Sequence, residues 1–352
     1  MPISLIKILV IILNRLIFKM KLKTILPFLL FSKLALGVPE DQLGQLLKSE
    51  ILPFVAKGEK AFYLGERDKK INYFKFKREH RSAIVIIPGR TEPSLKYSEI
   101  LFDLKNLPVD FFLWDPRGQG HSERLLDDPQ KGYVEKWEDY TSDFKKFHEI
   151  ELSEYNKVFI IAHSMGAAIS LRFGQLNPEL IDGFVLSAPM VEIKTDGYPE
   201  FIASGLMKFL KIIGKKTEYV PGGGPLSGPI PYEKNRVTSS VERYKMARFI
   251  DTTDPRLLMG SPTNNWLYEA IQLGKKVSKK SQRGKIDHIP LIIFQAGKDS
   301  YSKDKRQRKL CDEHSQCELV RLEQAKHEMF QERDEIRNIV IKKTIGFIEK
   351  NL

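Results

Sequence analysis

The chain has 352 residues, 57 of them Lys or Arg and 45 Asp or Glu, for a net charge of +12. The length exceeds one ordinary domain and fits one α/β core carrying an insertion. The charge is uneven: residues 1–37 carry +6, residues 191–290 carry +7, and the rest carries −1. No nucleic-acid-binding motif accompanies the basic excess, so nucleic acid is not an expected partner. An anionic lipid surface is one expected partner, at about 1 kcal/mol per nearby Lys or Arg; a solvated face is the alternative.

In chain order, the first element is a leader over 1–37. From Met20, Lys21-Leu22-Lys23 form a basic start, Ile25 to Leu36 is largely apolar, and Ala35-Leu36-Gly37 offers small residues for cleavage. This predicts export, to the periplasm or a membrane-associated state. A retained N-terminal membrane anchor is the rival reading, although Lys7 and Asn14 interrupt residues 1–19. Strand-like and helix-like runs then alternate from residue 70, which predicts a mostly parallel sheet covered on both faces. Ala83–Ile87 is one such strand, closed by the turn Pro88-Gly89-Arg90.

The apolar run Val158–Ile161 leads into Ala162-His163-Ser164-Met165-Gly166 and then a helix-like run from Ala167. Strand, tight turn with serine at its apex, then helix is the pattern of a nucleophile elbow. The strained turn needs small residues two positions either side of the serine, and Ala162 and Gly166 supply them. A serine hydroxyl needs a base to take its proton and a third group to hold the base. With an elbow, the acid and then the histidine are expected later in the chain.

Alternation stops between Pro189 and about His288, where helix-like runs such as Phe201 to Ile213 and Val241 to Ile250 predominate. We expect 191–288 to be a cap insertion and 38–190 with 289–352 to be the core. The strand Pro290–Ala296 is followed by a turn carrying Asp299, and the short strand Leu319–Leu322 by a loop carrying His327, before a helix over 334–350. Ser164, Asp299 and His327 are therefore the expected nucleophile, acid and base. Asp287 and Asp304 are rival acids, but neither immediately follows a strand. His163 is expected to point away from the serine and pack behind it. The oxyanion of an acyl-transfer transition state needs N–H donors, each worth roughly 3–4 kcal/mol. The main-chain N–H groups of Met165 and Arg90 are the candidates. The Arg90 side chain could be solvated or could meet an anionic head group.

These residues resemble α/β-hydrolases of the bacterial lysophospholipase and monoacylglycerol lipase family. Asp115-Pro116-Arg117-Gly118-Gln119-Gly120-His121-Ser122 resembles the family's Asp-x-Arg-Gly-x-Gly-x-Ser turn, and Tyr140-Thr141-Ser142-Asp143 the start of the helix before the nucleophile strand. Asn235 to Ser239, Arg243-Tyr244 and Gly260 to Ala270 resemble the insertion of bacterial lysophospholipases, and Ala325-Lys326-His327-Glu328 their histidine loop. The resemblance runs from about Ile51 to the C-terminus. It implies an eight-stranded α/β-hydrolase sheet with a helical cap, and a serine carboxylester hydrolase of single-chain lipids, foremost lysophospholipids, needing no metal or organic cofactor. Monoacylglycerol lipase and general carboxylesterase are the near alternatives, and a non-catalytic lipid- or partner-binding relative the remote one. Many relatives have His-Gly at the oxyanion turn where this chain has Pro88-Gly89. Phe201, Leu206, Met207, Phe209, Leu210 and Trp266 are candidates to line an acyl slot, although their spacing suits ordinary cap core as well. Cys311 and Cys317 could pair in an exported protein or remain buried thiols. His314 between them does not complete a zinc set.

Overall fold

The computed structural model describes residues 37–195 and 197–352. The expected leader lies outside these, except for Gly37, whose N–H donates to Asn338; the next residue, Val38, donates to Asp103. The strands are β1 (Glu59–Leu64), β2 (Lys70–Phe76), β3 (Ser82–Ile87), β4 (Asp110–Trp114), β5 (Lys157–His163), β6 (Gly183–Ser187), β7 (Leu291–Ala296) and β8 (Cys317–Leu322). They form one eight-stranded sheet in the order β1-β2-β4-β3-β5-β6-β7-β8. β2 runs antiparallel to both β1 and β4, and the remaining pairs are parallel.

The longer helices are α1 (Ser98–Asp103), α2 (Glu138–Phe147), α3 (Ser164–Leu176), α4 (Glu200–Ile212), α5 (Val241–Thr253), α6 (Asn264–Ser278), α7 (Asp304–Asp312) and α8 (Asp334–Asn351). The unbroken apolar run of β3 explains the two covered faces. Ala83, Val85 and Ile87 point into a core shared with Phe144, Phe147 and Phe173 of α2 and α3. Ile84 and Ile86 point into the opposite core with Ile100 and Leu101 of α1 and Val340 and Ile341 of α8. Side chains alternate along a strand, so a strand covered on both faces must be apolar throughout.

The chain leaves the sheet after β6 and returns at β7, placing α4, α5 and α6 in that excursion. α6 is tied to the body: Trp266 and Leu273 join the first core, and Asn265 donates to the main chain of Val134. Arg243 of α5 is fully buried, bonding to Glu99 of α1, to Asp334 of α8 and to the carbonyl of Val38. α4 is different. Phe201, Phe209 and Ile212 are 72%, 57% and 73% exposed, and Leu206 is exposed as well. Phe201, Leu206 and Phe209 thus do not occupy the interior slot that their helical spacing suggests; Met207 and Trp266 are buried.

Candidate active site

The parallel strands β3, β5 and β7 end on the same edge of the sheet, and the turns that follow them carry the site. At the end of β5 the chain enters α3 in one step. Ser164 takes the left-handed conformation, φ 48°, which a non-glycine residue rarely adopts without strain. A Cβ on Gly166 would come within 2.5 Å of the carbonyl oxygens of Ile87 and Pro88. Only glycine lets α3 approach the end of β3 this closely.

The three expected side chains meet. His327 Nε2 lies 3.0 Å from Ser164 Oγ, and His327 Nδ1 lies 2.9 Å from Asp299 Oδ2. All three residues are buried. The other carboxylate oxygen of Asp299 accepts the N–H groups of Tyr301 and Ser302, at 2.7 and 3.0 Å, so the acid is fixed from two sides. Burial pushes the Asp299 carboxyl up, but the hydrogen bond and charge of His327 and the two N–H donors outweigh it and hold the group below its ordinary range. The rival acids are engaged elsewhere: Asp304 pairs with Arg321 and Asp287 accepts from Ser315. A serine hydroxyl bonded to an imidazole that a carboxylate orients is the arrangement that makes an alcohol nucleophilic.

The main-chain N–H groups of Arg90 and Met165 have no hydrogen-bond partner among the described residues. Met165 lies in the first turn of α3, where no intrahelical acceptor exists. The turn holding Arg90 lacks the histidine of many relatives, yet it is firmly held. Gly89 N–H donates to Glu92 Oε2 at 2.6 Å, and Gln119 Nε2 donates to the carbonyls of Gly89 and Glu92 at 2.7 and 3.1 Å. Gln119 belongs to the Asp115–Ser122 turn, which gives that motif a role beside the site.

Sequence reasoning missed what lies beneath. Glu92 and Lys96 are 4% and 1% exposed. Lys96 Nζ bridges Glu92 at 2.8 Å and Glu328 at 2.7 Å. Glu92 Oε2 also takes the Tyr97 hydroxyl at 2.8 Å and faces His163 Nδ1 at 3.0 Å. His163 Nε2 faces the carbonyl of His327 at 3.2 Å, and the two rings pack 4.7 Å apart. His163 is thus a packing residue, as expected, but it does not point away from the site: its ring braces the base. Both of its ring nitrogens face acceptors, so only the doubly protonated ring donates to both. Burial alone would lower its pKa; the adjacent Glu92 carboxylate outweighs that and raises it. Glu92 in turn is held well below the usual carboxylate range, with Lys96 and His163 overcoming its burial. A signal did exist in the sequence: Glu92 stands three residues after Gly89, within reach of its N–H.

Cys311 and Cys317 are disulfide-bonded, with Cα atoms 5.2 Å apart. Among the described residues no group of three or more His, Cys, Asp or Glu is placed to hold a metal ion.

Residues 78–334 match a family model described as "Serine aminopeptidase, S33". Lysophospholipase L2 of Escherichia coli strain K12 is 29% identical over 324 residues, spanning 89% of this chain and 94% of the relative. Probable lysophospholipase L2 of Haemophilus influenzae is 30% identical over 320 residues, spanning 88% and 98%. Among solved structures, a soluble variant of monoglyceride lipase from Saccharomyces cerevisiae, in complex with a substrate analog, superposes with a TM-score of 0.64 at 20% identity, covering 84% of this chain and 97% of that one. A thermostable carboxyl esterase from Bacillus coagulans gives 0.65 at 15% identity, covering 84% and 98%.

Proposed function

The chain belongs to the serine aminopeptidase S33 family of α/β-hydrolases, and from that premise we propose that it is a lysophospholipase working through an acyl-enzyme. The observation that carries the chemistry is the contact of His327 with Ser164 on one side and Asp299 on the other. Ser164 attacks the ester carbonyl carbon as His327 takes its proton. Asp299 holds the ring so that Nδ1 keeps its hydrogen and the imidazolium is stabilised. The N–H groups of Arg90 and Met165 receive the developing oxyanion. His327 then protonates the departing glycerol oxygen, and a water activated by the same ring releases the fatty acid.

The substrate class is supported by the lysophospholipase L2 relatives, whose likeness spans nearly the whole chain. A peptidase reading, which the family description invites, needs a carboxylate to hold the substrate's free ammonium. The oxyanion turn here presents a guanidinium, which repels one. We place the enzyme at a lipid surface outside the cytoplasm. The exposed apolar side of α4, with Lys208 and Lys211 on the same helix, suits burial in a head-group layer. The Cys311–Cys317 bond suits an exported protein. No helix among the described residues is long and apolar enough to cross a membrane.

The test is hydrolysis of lysophosphatidylcholine, lysophosphatidylethanolamine and monoolein side by side, with Ser164→Ala as control. The lysophospholipids are expected to be preferred, and Ser164→Ala to lower kcat about 10⁶-fold. A clear preference for monoolein defeats the lysophospholipid reading and leaves the hydrolase standing. A fluorophosphonate label on any serine other than Ser164 defeats the mechanism.

A further inference from the structure

The side chain of Arg90 is left without a counter-charge. Arg117, Arg243 and Arg337 are buried against carboxylates of Asp143, Glu99 and Asp103. Arg90 meets no carboxylate within ion-pair distance among the described residues. Its Nη2 donates to the carbonyl of Gly260 at 2.6 Å, while Nε is shielded from water with no acceptor. The guanidinium lies 5.1 Å from the ring of Trp266. It also rests against Gly132, where any Cβ would come within 3.1 Å of Nη2 and 3.2 Å of Nε. Burial pushes its pKa down to about 10, and the groups that counter this are only the hydroxyls of Tyr140, Tyr301 and Tyr219. A half-buried cation with no counter-charge and a shielded, unpaired Nε is well placed to gain from an anion that meets it.

The place of this cation matters. It is carried by the residue whose main-chain N–H is the proposed oxyanion donor. Tyr301, which feels its charge, packs its ring 5.0 Å from that of His327. We infer that the Arg90 guanidinium receives the phosphate of the bound lysophospholipid while its own N–H receives the ester oxygen. The inference rests on the lysophospholipid reading above and names what selects that substrate over a neutral glyceride. The covalent spacing agrees: in a 1-acyl lysophospholipid the phosphorus stands as many bonds from the ester carbonyl carbon as Cζ of an arginine stands from its backbone nitrogen. One residue can therefore span both groups. The planar fork of a guanidinium suits two phosphate oxygens better than an ammonium does.

The experiment compares kcat/KM on a short-chain lysophosphatidylcholine and on the monoacylglycerol of the same acyl chain, both kept monomeric so that no lipid surface contributes. Wild type, Arg90→Met and Arg90→Lys are measured, with thermal unfolding of each variant alongside. Arg90→Met is expected to lose about 10- to 150-fold more on the lysophospholipid than on the glyceride, mainly through KM, the range for a hydrogen-bonded charge. Arg90→Lys, which keeps the cation and the packing of the stem, is expected to recover part of that difference. An equal loss on both substrates by both variants overturns the inference and makes Arg90 a brace between its turn and Trp266. No loss on either overturns it as well. A wild-type enzyme that cleaves the glyceride but not the lysophospholipid defeats the functional reading itself, a result separable from the other two.

Discussion

Two carboxylate–histidine pairs lie side by side in this molecule, and they are built for opposite ends. In both, a buried carboxylate faces the Nδ1 of a buried histidine, Asp299 to His327 at 2.9 Å and Glu92 to His163 at 3.0 Å. The difference is what each Nε2 meets. His327 meets the hydroxyl of Ser164, which can give up a proton; His163 meets the carbonyl of His327, which can only accept one. The first ring can therefore cycle between neutral and charged. The second is held protonated by Glu92 up to its raised pKa, and its work is mechanical. It links the oxyanion turn, through Glu92 and Gly89, to the backbone of the base. Residue type and carboxylate partner do not decide whether a histidine is a base or a brace; the third atom does.

The sharpest way to break this distinction is to neutralise each carboxylate in turn. Asp299→Asn removes the charge that orients and stabilises the His327 imidazolium, and kcat is expected to fall about 10⁴-fold with the fold preserved. Glu92→Gln keeps the shape of its side chain but leaves His163 and Lys96 short of a counter-charge. Its expected cost in kcat is smaller, about 10- to 100-fold, because it acts only by displacing the oxyanion turn and the His327 loop. Steady-state kinetics on one lysophospholipid measures both. If Glu92→Gln equals Asp299→Asn, the second pair takes part in proton transfer and the comparison fails.

The first pair is readable in the sequence; of the second, only the spacing of Glu92 from Gly89 is, for a physical reason. Ser164, Asp299 and His327 each follow an apolar run of strand length, so chain order and strand ends suffice to name them. Glu92 and Lys96 sit in a turn and the short helix after it, where charged residues ordinarily mean solvent. Their burial depends on Glu328, more than 200 residues away, and on His163. The same limit misplaced α4. Apolar residues at helical spacing say that a helix has an apolar side, not what covers it, and Phe201 and Phe209 turn out exposed. Arg243 was singled out as a motif, but its partners Glu99 and Asp334 are distant in sequence.

pH separates the two pairs by sign. The folded pKa of His163 is raised, so its contribution to stability is complete below the ordinary imidazole range and is lost as pH rises through the raised value. That of Asp299 is lowered, so its contribution is present above the ordinary carboxylate range and is lost as pH falls through the folded value. His163 is faced by Glu92, Lys96, Glu328 and His327; Glu92 raises it most, by charge and hydrogen bond, and Glu328 adds to this. Wild type is therefore expected to lose thermal stability on the alkaline side of about pH 6.5. Glu92→Gln is expected to flatten that limb, and on the acid side to remove only the share of Glu92 itself, whose carboxyl is also held low, leaving that of Asp299. Unfolding midpoints across pH for both proteins provide the check. A Glu92→Gln limb as steep as that of wild type removes His163 as the titrating group.

The smallest effect asks whether the catalytic pair needs a covalent brace. Asp299 lies in the turn between β7 and α7, and the Cys311–Cys317 bond joins the end of α7 to the start of β8. The bond closes a loop of a few residues, for which chain entropy gives a stabilisation of about 2 kcal/mol. Asp299 itself is fixed by the N–H groups of Tyr301 and Ser302 and by His327, none of which depends on the bridge. Replacing both cysteines by serine is thus expected to lower the unfolding midpoint by a few degrees and to leave kcat within about twofold. A large loss of kcat at temperatures where the variant is fully folded would mean that the bridge positions the acid, and that the hydrogen bonds around Asp299 do not suffice on their own.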